Sequence, residues 1–285
     1  MNRIWQSIFG RGLVRTSEDF GNQGARPRYP EVLDGLSGKL IASGWDVKAL
    51  VKTIVMSETY RQQSVGDEQI MADDPDNEWL ARGARYRLPA EMIRDNALAA
   101  AGLLDRRMGG PPVNPYEMSE AFKPVGASGG TDVFRRSLYT QWRRTSPPPA
   151  MLAFDAPRRA VCIAKRERTD SPLQALILLN GIQYVEAARV LGESLHRESN
   201  GDIEKMIQAG FLRCLSRQAD SRELDIMRQL YSEQRDYFSK NPEQAKLLTA
   251  IGTHPRDSAV SDIDAASAAA LAQALLNHDE CVVKR

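Results

Sequence analysis

The chain has 285 residues, 42% hydrophobic and 26% charged, an ordinary globular composition long enough to bury a sizeable core. Its net charge of +1 gives no global pull toward nucleic acid or membrane, and no apolar run reaches the roughly 18 residues of a transmembrane helix. Cys162, Cys214 and Cys281 lack CxxC and CxxCH spacing, and His196, His254 and His278 are scattered. Neither a disulfide framework, c-type haem attachment nor a metal site is expected; the cysteines allow one disulfide but read first as free buried thiols.

Ile4, Trp5, Ile8 and Phe9 predict a first short helix ended by Gly10 and Gly12. Residues 16–30 read as a loop. Pro30 opens a helix with Leu33, Leu36, Leu40 and Ile41 on one face. Gly44 stops it, and Asp46 caps a second helix striped by Leu50, Val51, Ile54 and Val55, giving an antiparallel hairpin. Residues 63–77 are polar and acidic, a loop, and Glu78–Arg82 reads as a helical turn anchored by Trp79 and Leu80. Pro89 begins a helix through Leu104 that faces Met92, Ile93, Ala97, Ala100 and Leu104 inward and leaves Glu91, Arg94 and Asp95 exposed. Residues 105–131, with two Gly-Gly pairs and four prolines, lack periodicity over a length that points to a functional loop or disorder.

The densest basic cluster follows, between Arg135 and Asn180. It holds Arg135, Arg136, Arg143, Arg144, Arg158, Arg159, Lys165, Arg166 and Arg168, so the rest of the chain is net negative. Guanidinium forks suit carboxylate, phosphate or sulfate, and they equally suit structural ion pairs. A helical reading of Asp132–Arg144 puts Arg136 and Arg143 on one side near Tyr139 and Trp142. Pro147, Pro148 and Pro149 form a stiff extended connector, and Met151, Leu152 and Phe154 make it a strap over the core. Asp170, Ser171 and Pro172 start a helix whose Leu173, Leu176, Ile177 and Leu179 predict burial.

Gly181 divides that helix from one carrying Val185, Ala188, Leu191 and Leu195. Asp202 caps a helix with Ile203, Met206, Ile207, Phe211 and Leu215, and Asp220 with Glu223 forms a capping box ahead of Leu224, Met227, Leu230, Tyr231 and Phe238. Asn241-Pro242 starts a short helix to Ile251, and Ser261 or Asp262 opens the last one, through Leu276. No strand alternation stands out. The fold class is therefore all-α, an irregular bundle of about eight to ten helices with long Pro/Gly-rich loops. It forms a single domain over 1–285 or two lobes, 1–131 and 132–285.

Several stretches in chain order carry a resemblance: Asn2–Gln6 with Phe9–Val14, Ser43–Lys48, Ser57–Gln62, Arg87–Asp95, Gly109–Val113, Arg135–Asn180 and Leu275–Asn277. The chain resembles a planctomycete-type C-terminal domain of unknown function. Such domains occur in large exported proteins that often carry a planctomycete cytochrome c domain. Three places depart from that pattern: Tyr29 stands where His is usual and Gly181 where Asp is usual, and an acidic or polar residue is more usual near Arg158-Arg159. The resemblance implies a periplasmic or extracytoplasmic setting. The opening MNRIWQSIFGRG is no signal peptide, so the expectation is a C-terminal piece of a longer protein, with any haem elsewhere in the parent.

Three function classes follow. The first is a non-catalytic accessory, binding or scaffolding domain, partnered by N-terminal domains of its parent or a redox partner. The second is an enzyme or binding protein acting on an anionic, sulfated or carboxylated glycan. Its ligand residues would be Arg135, Arg136, Arg143, Arg144, Arg166 and Arg168, oriented by Asp155, with Asp155, Glu167 and Asp170 as nearby acid–base carboxylates. The third, nucleic-acid binding with Tyr139 and Trp142 stacking, is disfavoured by the neutral chain. The first reading ranks highest, and no cofactor is assigned to the chain.

Overall fold

The computed structural model describes residues 1–115 and 126–285 and the backbone of 118–120 and 123–125, with fourteen α-helices among the described residues. Ten of these have eight or more residues, and the class is all-α as the periodicity predicts. Two compact units result: Met1–Arg87, Val161–Glu167 and Val283–Arg285 form one, and Leu88–Ala160 with Arg168–Val282 the other.

In the first unit α1 (Asn2–Phe9) stacks Trp5 on Phe9 with ring centroids 4.1 Å apart. Helices α2 (Pro30–Ala42) and α3 (Val47–Val55) form the expected hairpin, and Asp46 accepts the Ala49 N–H at 3.0 Å as its cap. Leu40, Leu50 and Ile54 join Trp5, Phe9 and Leu13 in one core cluster, whereas Ile41 faces solvent. Two short helices follow, α4 (Glu58–Arg61) and α5 (Glu68–Asp73), the second lying inside the segment read as loop. The expected helical turn at Glu78–Arg82 is absent. Asp74 takes the Glu78 and Trp79 N–H groups at 2.7 Å each, which satisfies that backbone without a helix and leaves Trp79 exposed. Tyr86–Arg87 pairs antiparallel with Val283–Lys284, a two-residue ladder too short to show alternation.

The second unit begins with α6 (Ala90–Ala100), which stops short of Leu104. Its inner face is Ile93, Arg94, Ala97, Leu98 and Ala100, so Met92 is exposed and Arg94 is not. Met118–Glu120 and Lys123–Val125 pair as a small hairpin within the 105–131 segment, of which 116–117 and 121–122 lie outside the described residues. The helix expected over 132–144 is replaced by two 3-10 turns, Gly130–Phe134 and Ser137–Tyr139, joined by extended backbone. The triple proline is not a purely extended connector: Pro148 caps and Pro149 opens α7 (Pro149–Ala153), with Met151 and Phe154 buried as expected of a strap.

Helix α8 (Pro172–Asn180) begins where Ser171-Pro172 predicts, but it is not buried. Leu173 is 55% exposed, Leu176 55% and Leu179 40%, and Ile182 just beyond is 61% exposed. The inward line is Gln174 and Leu178, four residues apart, because the Gln174 amide donates to the Ala153 carbonyl at 2.9 Å and to Thr169 Oγ1 at 3.2 Å. That rotation turns the leucines outward.

The remaining helices are α9 (Ile182–Glu198), α10 (Ile203–Leu215), α11 (Ser221–Lys240), α12 (Pro242–Thr249), α13 (Asp262–Leu276) and α14 (Asp279–Val282). Asp202, Ser261 and the reciprocal Asp220–Glu223 box cap α10, α13 and α11 as read from the sequence. The core seam lies between α9 and α13, where Ala265, Ala268, Ala269 and Ala272 are fully or nearly fully buried. A Cβ at Gly192 would sit 2.5 Å from the Ala268 carbonyl carbon and 2.6 Å from the Ala269 nitrogen, so only glycine allows this approach. Gly192→Ala should destabilise the protein by about 1–3 kcal/mol or more in urea unfolding, since backbone rather than a side-chain tip must give way.

Near the end of α10, Arg217 donates to both Glu223 oxygens at 2.7 Å and to Glu280 at 2.8 Å, with its guanidinium 5.3 Å from the Phe211 ring centre. Hydrogen bonds from Arg217 pull the Glu223 carboxyl down from 4.5 to about 2. A depressed folded-state value means stability that is present above the unfolded value and is lost as pH falls. The stability gap between wild type and Arg217→Met should therefore shrink as pH drops from 4.5 towards about 2, measured by urea unfolding.

Candidate functional site

The arginine-rich segment folds around one buried side chain that it does not itself supply. Arg94 on α6 is 1% exposed. Its guanidinium donates to the Val133 carbonyl at 2.6 Å, the Arg135 carbonyl at 2.9 Å, Ser137 Oγ at 3.1 Å and Gln183 Oε1 at 2.6 Å. The adjacent Asp95 carboxylate accepts from the Ser137 N–H at 2.8 Å and its hydroxyl at 2.6 Å. Residues 133–137 thus find their hydrogen-bond partners on α6, which is why they do not form a helix of their own.

Two of the predicted ligand arginines are committed to this scaffold. Arg135 is buried, its guanidinium lies 3.9 Å from the Tyr139 ring centre, and it donates to the carbonyls of Gly109 and Pro111. Arg136 is half-buried and donates to the Arg106 carbonyl at 3.2 Å and to the Met108 sulfur. Single bridges from Asp105 to Arg135 and from Val113 to Thr140 tie in the start of the aperiodic segment. Arg107 closes it, pairing with Asp105 and Asp132 at 2.7 Å each. The Arg107 backbone N–H holds the Asp105 carboxyl below the usual carboxylate range, and the Asp105 carboxylate raises Arg107 in turn.

Among the described residues Asp155 orients no arginine: its oxygens accept from the Thr169 N–H at 2.6 Å and the Thr169 hydroxyl at 2.9 and 3.0 Å. Arg143 is half-buried; Arg144 and Arg168 are exposed in the same unit, and Arg166 is exposed on the segment belonging to the other unit. Of the predicted set, Arg135 and Arg136 thus belong to the scaffold, and Arg144, Arg166 and Arg168 are exposed.

What does converge is a plate around Trp142. Its indole N–H donates to the Arg158 carbonyl at 3.1 Å, and the Arg159 guanidinium lies 4.6 Å from its ring centre. Asp155 and Arg159 both take left-handed backbone, φ 59 and 56, although neither is glycine. Those two bends turn residues 155–159 back onto Trp142, and such conformations persist only where surrounding contacts hold them. Arg144, Arg158 and Arg159 are exposed, and no carboxylate pairs with them among the described residues. The ring holds the Arg159 guanidinium over its face, and the exposed side chain can still offer N–H groups to an oxyanion. Arg158 and Arg159 stand outside the ligand set expected from sequence. Their one signal is a second Arg-Arg pair after a tryptophan, and spacing cannot show that a loop closes the two together.

Burial pushes the Cys214 thiol up to about 12 and the Cys281 thiol to about 11, whereas Cys162, expected from the sequence to be buried, is exposed.

A protein-family model described as PSD1, a protein of unknown function (DUF1553), matches residues 1–231. The chain belongs to this family. No curated protein and no solved structure matches it. The PSD1 match takes in the Arg94 scaffold, the Trp142 plate and α8, and it ends within α11, so α13 lies beyond it.

Arg94→Met in this PSD1 chain should cost about 3–5 kcal/mol, because Asp95 and the Val133 and Arg135 carbonyls lose a buried charged partner. Arg144→Ala should change stability by no more than about 0.5 kcal/mol. Equilibrium denaturation of the two variants checks both figures.

Proposed function

We propose that this PSD1 chain is a non-catalytic binding domain of an exported multidomain protein and that it takes an anionic group, such as a glycan sulfate or carboxylate, on the Trp142 plate. The observation that carries the reading is the exposed trio Arg144, Arg158 and Arg159, with Arg159 stacked on Trp142 and no carboxylate set against them among the described residues. Structural arginines behave differently: Arg135 donates to the Gly109 and Pro111 carbonyls, and Arg107, in the preceding segment, to the Asp105 and Asp132 carboxylates. Asp155, a nearby acid–base candidate, spends both oxygens on Thr169, which favours binding over catalysis. The extracytoplasmic setting and the partnership with cytochrome c-bearing or redox domains of a parent protein rest on the resemblance of the sequence motifs.

A sulfated oligosaccharide at a hundred-fold excess over its Kd should add about 2.7 kcal/mol to stability, a shift of several degrees in Tm. Arg158→Ala/Arg159→Ala should abolish that shift while lowering the stability of the free protein by no more than about 1 kcal/mol, the worth of an exposed cation–π contact. An equal shift from the unsulfated sugar, or none from either, overturns the reading.

A further inference from the structure

The first unit carries an open cleft of about 710 Å³, within the roughly 300–1,000 Å³ of ligand-binding clefts. Four stretches of that unit wall it: the start of α1, residues 17–20, part of α2, and residues 162–164. Hydrogen bonds hold these walls. Arg3 on α1 donates to the Ile163 carbonyl at 3.2 Å, and Ser17 donates to Gln6 Oε1 at 2.9 Å. Thr16 donates to the Asp19 carbonyl at 2.7 Å and accepts from the Ala25 N–H at 2.9 Å, which fixes the loop bearing Glu18 and Phe20. The lining is mixed. Leu33, Ile163 and Phe20 are apolar, and the Phe20 ring is left 63% exposed. The charged side chains are Arg3 against Glu18 and Asp34, two carboxylates to one cation.

We propose that this cleft binds a short peptide segment carrying an arginine or lysine beside an aliphatic residue. The cation meets Glu18 and Asp34 with the Phe20 ring beside it, and the aliphatic side chain lies against Leu33 and Ile163. Charge complementarity selects this occupant. Glu18 and Asp34 are exposed and neither has an ion pair among the described residues, whereas Arg3 already donates to a carbonyl. An anion entering the cleft would face two carboxylates for one arginine. Glu18 and Asp34 form no group of three metal-ligating side chains among the described residues, so a bare metal ion is the poorer fit. The apolar share of the lining suits an organic cation with an aliphatic neighbour. The anion-binding reading concerns the other unit, and the two stand or fall separately.

Cys162 lines the same cleft and is the exposed thiol of the three, so its alkylation reports whether the cleft is occupied. The full chain is treated with iodoacetamide, and labelling of Cys162 is followed by mass spectrometry. The probes are the acetylated, amidated tripeptides Leu-Arg-Leu, Leu-Gln-Leu and Leu-Glu-Leu at about 10 mM, a level suited to weak peptide binding. The arginine peptide should slow labelling by about three-fold or more, and the other two by less than about 1.5-fold. Glu18→Gln/Asp34→Asn, at two exposed positions, should keep the wild-type Tm and weaken the affinity of the arginine peptide by about five-fold or more. No protection by the arginine peptide overturns the proposal. Equal protection by the glutamine or glutamate peptide also overturns it, since the cleft would then not select a cation. So does a carboxylate variant that the arginine peptide protects as well as wild type.

Discussion

The backbone of α13 passes α9 at Gly192 with no room for a methyl group, and the second unit is arranged around that approach. Alanines at 265, 268, 269 and 272 keep the α13 surface shallow enough for α9 to press against it. Contact this close buries Val185, Ala188, Leu191 and Leu195 almost completely, and each larger aliphatic side chain contributes about 1.5–3 kcal/mol by leaving water. It also carries three charged residues of α9 inward. Glu186 accepts from the Thr253 and His254 N–H groups at 2.5 and 2.7 Å. Arg189 bonds Glu193 at 2.9 Å and the His254 carbonyl at 2.7 Å. These groups pin the 251–257 loop. Gly252, at φ 101, passes where a Cβ would lie 2.2 Å from the Glu186 carboxyl carbon. The family match ends before α13, yet the matched α9 has its main packing partner there.

The same strategy recurs on α6. A helix places one buried cation, Arg94, where irregular backbone needs donors, and the irregular segment in return needs no helix of its own. Each unsatisfied buried carbonyl costs on the order of 1–3 kcal/mol, so one guanidinium that serves two carbonyls, a hydroxyl and a glutamine can organise a long stretch of chain. Arginines within that segment divide by the same logic. Arg135, with carbonyls in reach, became scaffold, and Arg158 and Arg159, lifted onto the surface by two left-handed residues, did not. Function is proposed for the second group because Arg135 is buried and donates to backbone carbonyls, whereas Arg158 and Arg159 are exposed.

Much of the fold was legible in the residues themselves. The caps at Asp46, Asp202, Asp220 and Ser261, the proline helix starts at Pro30, Pro172 and Pro242, and the break at Gly181 are local chemistry. A side chain three residues from an N–H can be read without a neighbour. Periodicity likewise determined the buried faces of α3, α9 and α10 and the all-α class. What tertiary structure alone decided is where competing demands met. Asp132–Arg144 gave up helix because α6 offered better partners for its backbone. Helix α8 turned its leucines out because Gln174 found a carbonyl inside, and Arg94 went inward against its charge because two carbonyls, a hydroxyl and a glutamine could accept from it. Hydrogen bonds between residues distant in sequence leave no periodic trace, so neither the Trp142 plate nor the outward leucines of α8 could be read until the chain was folded.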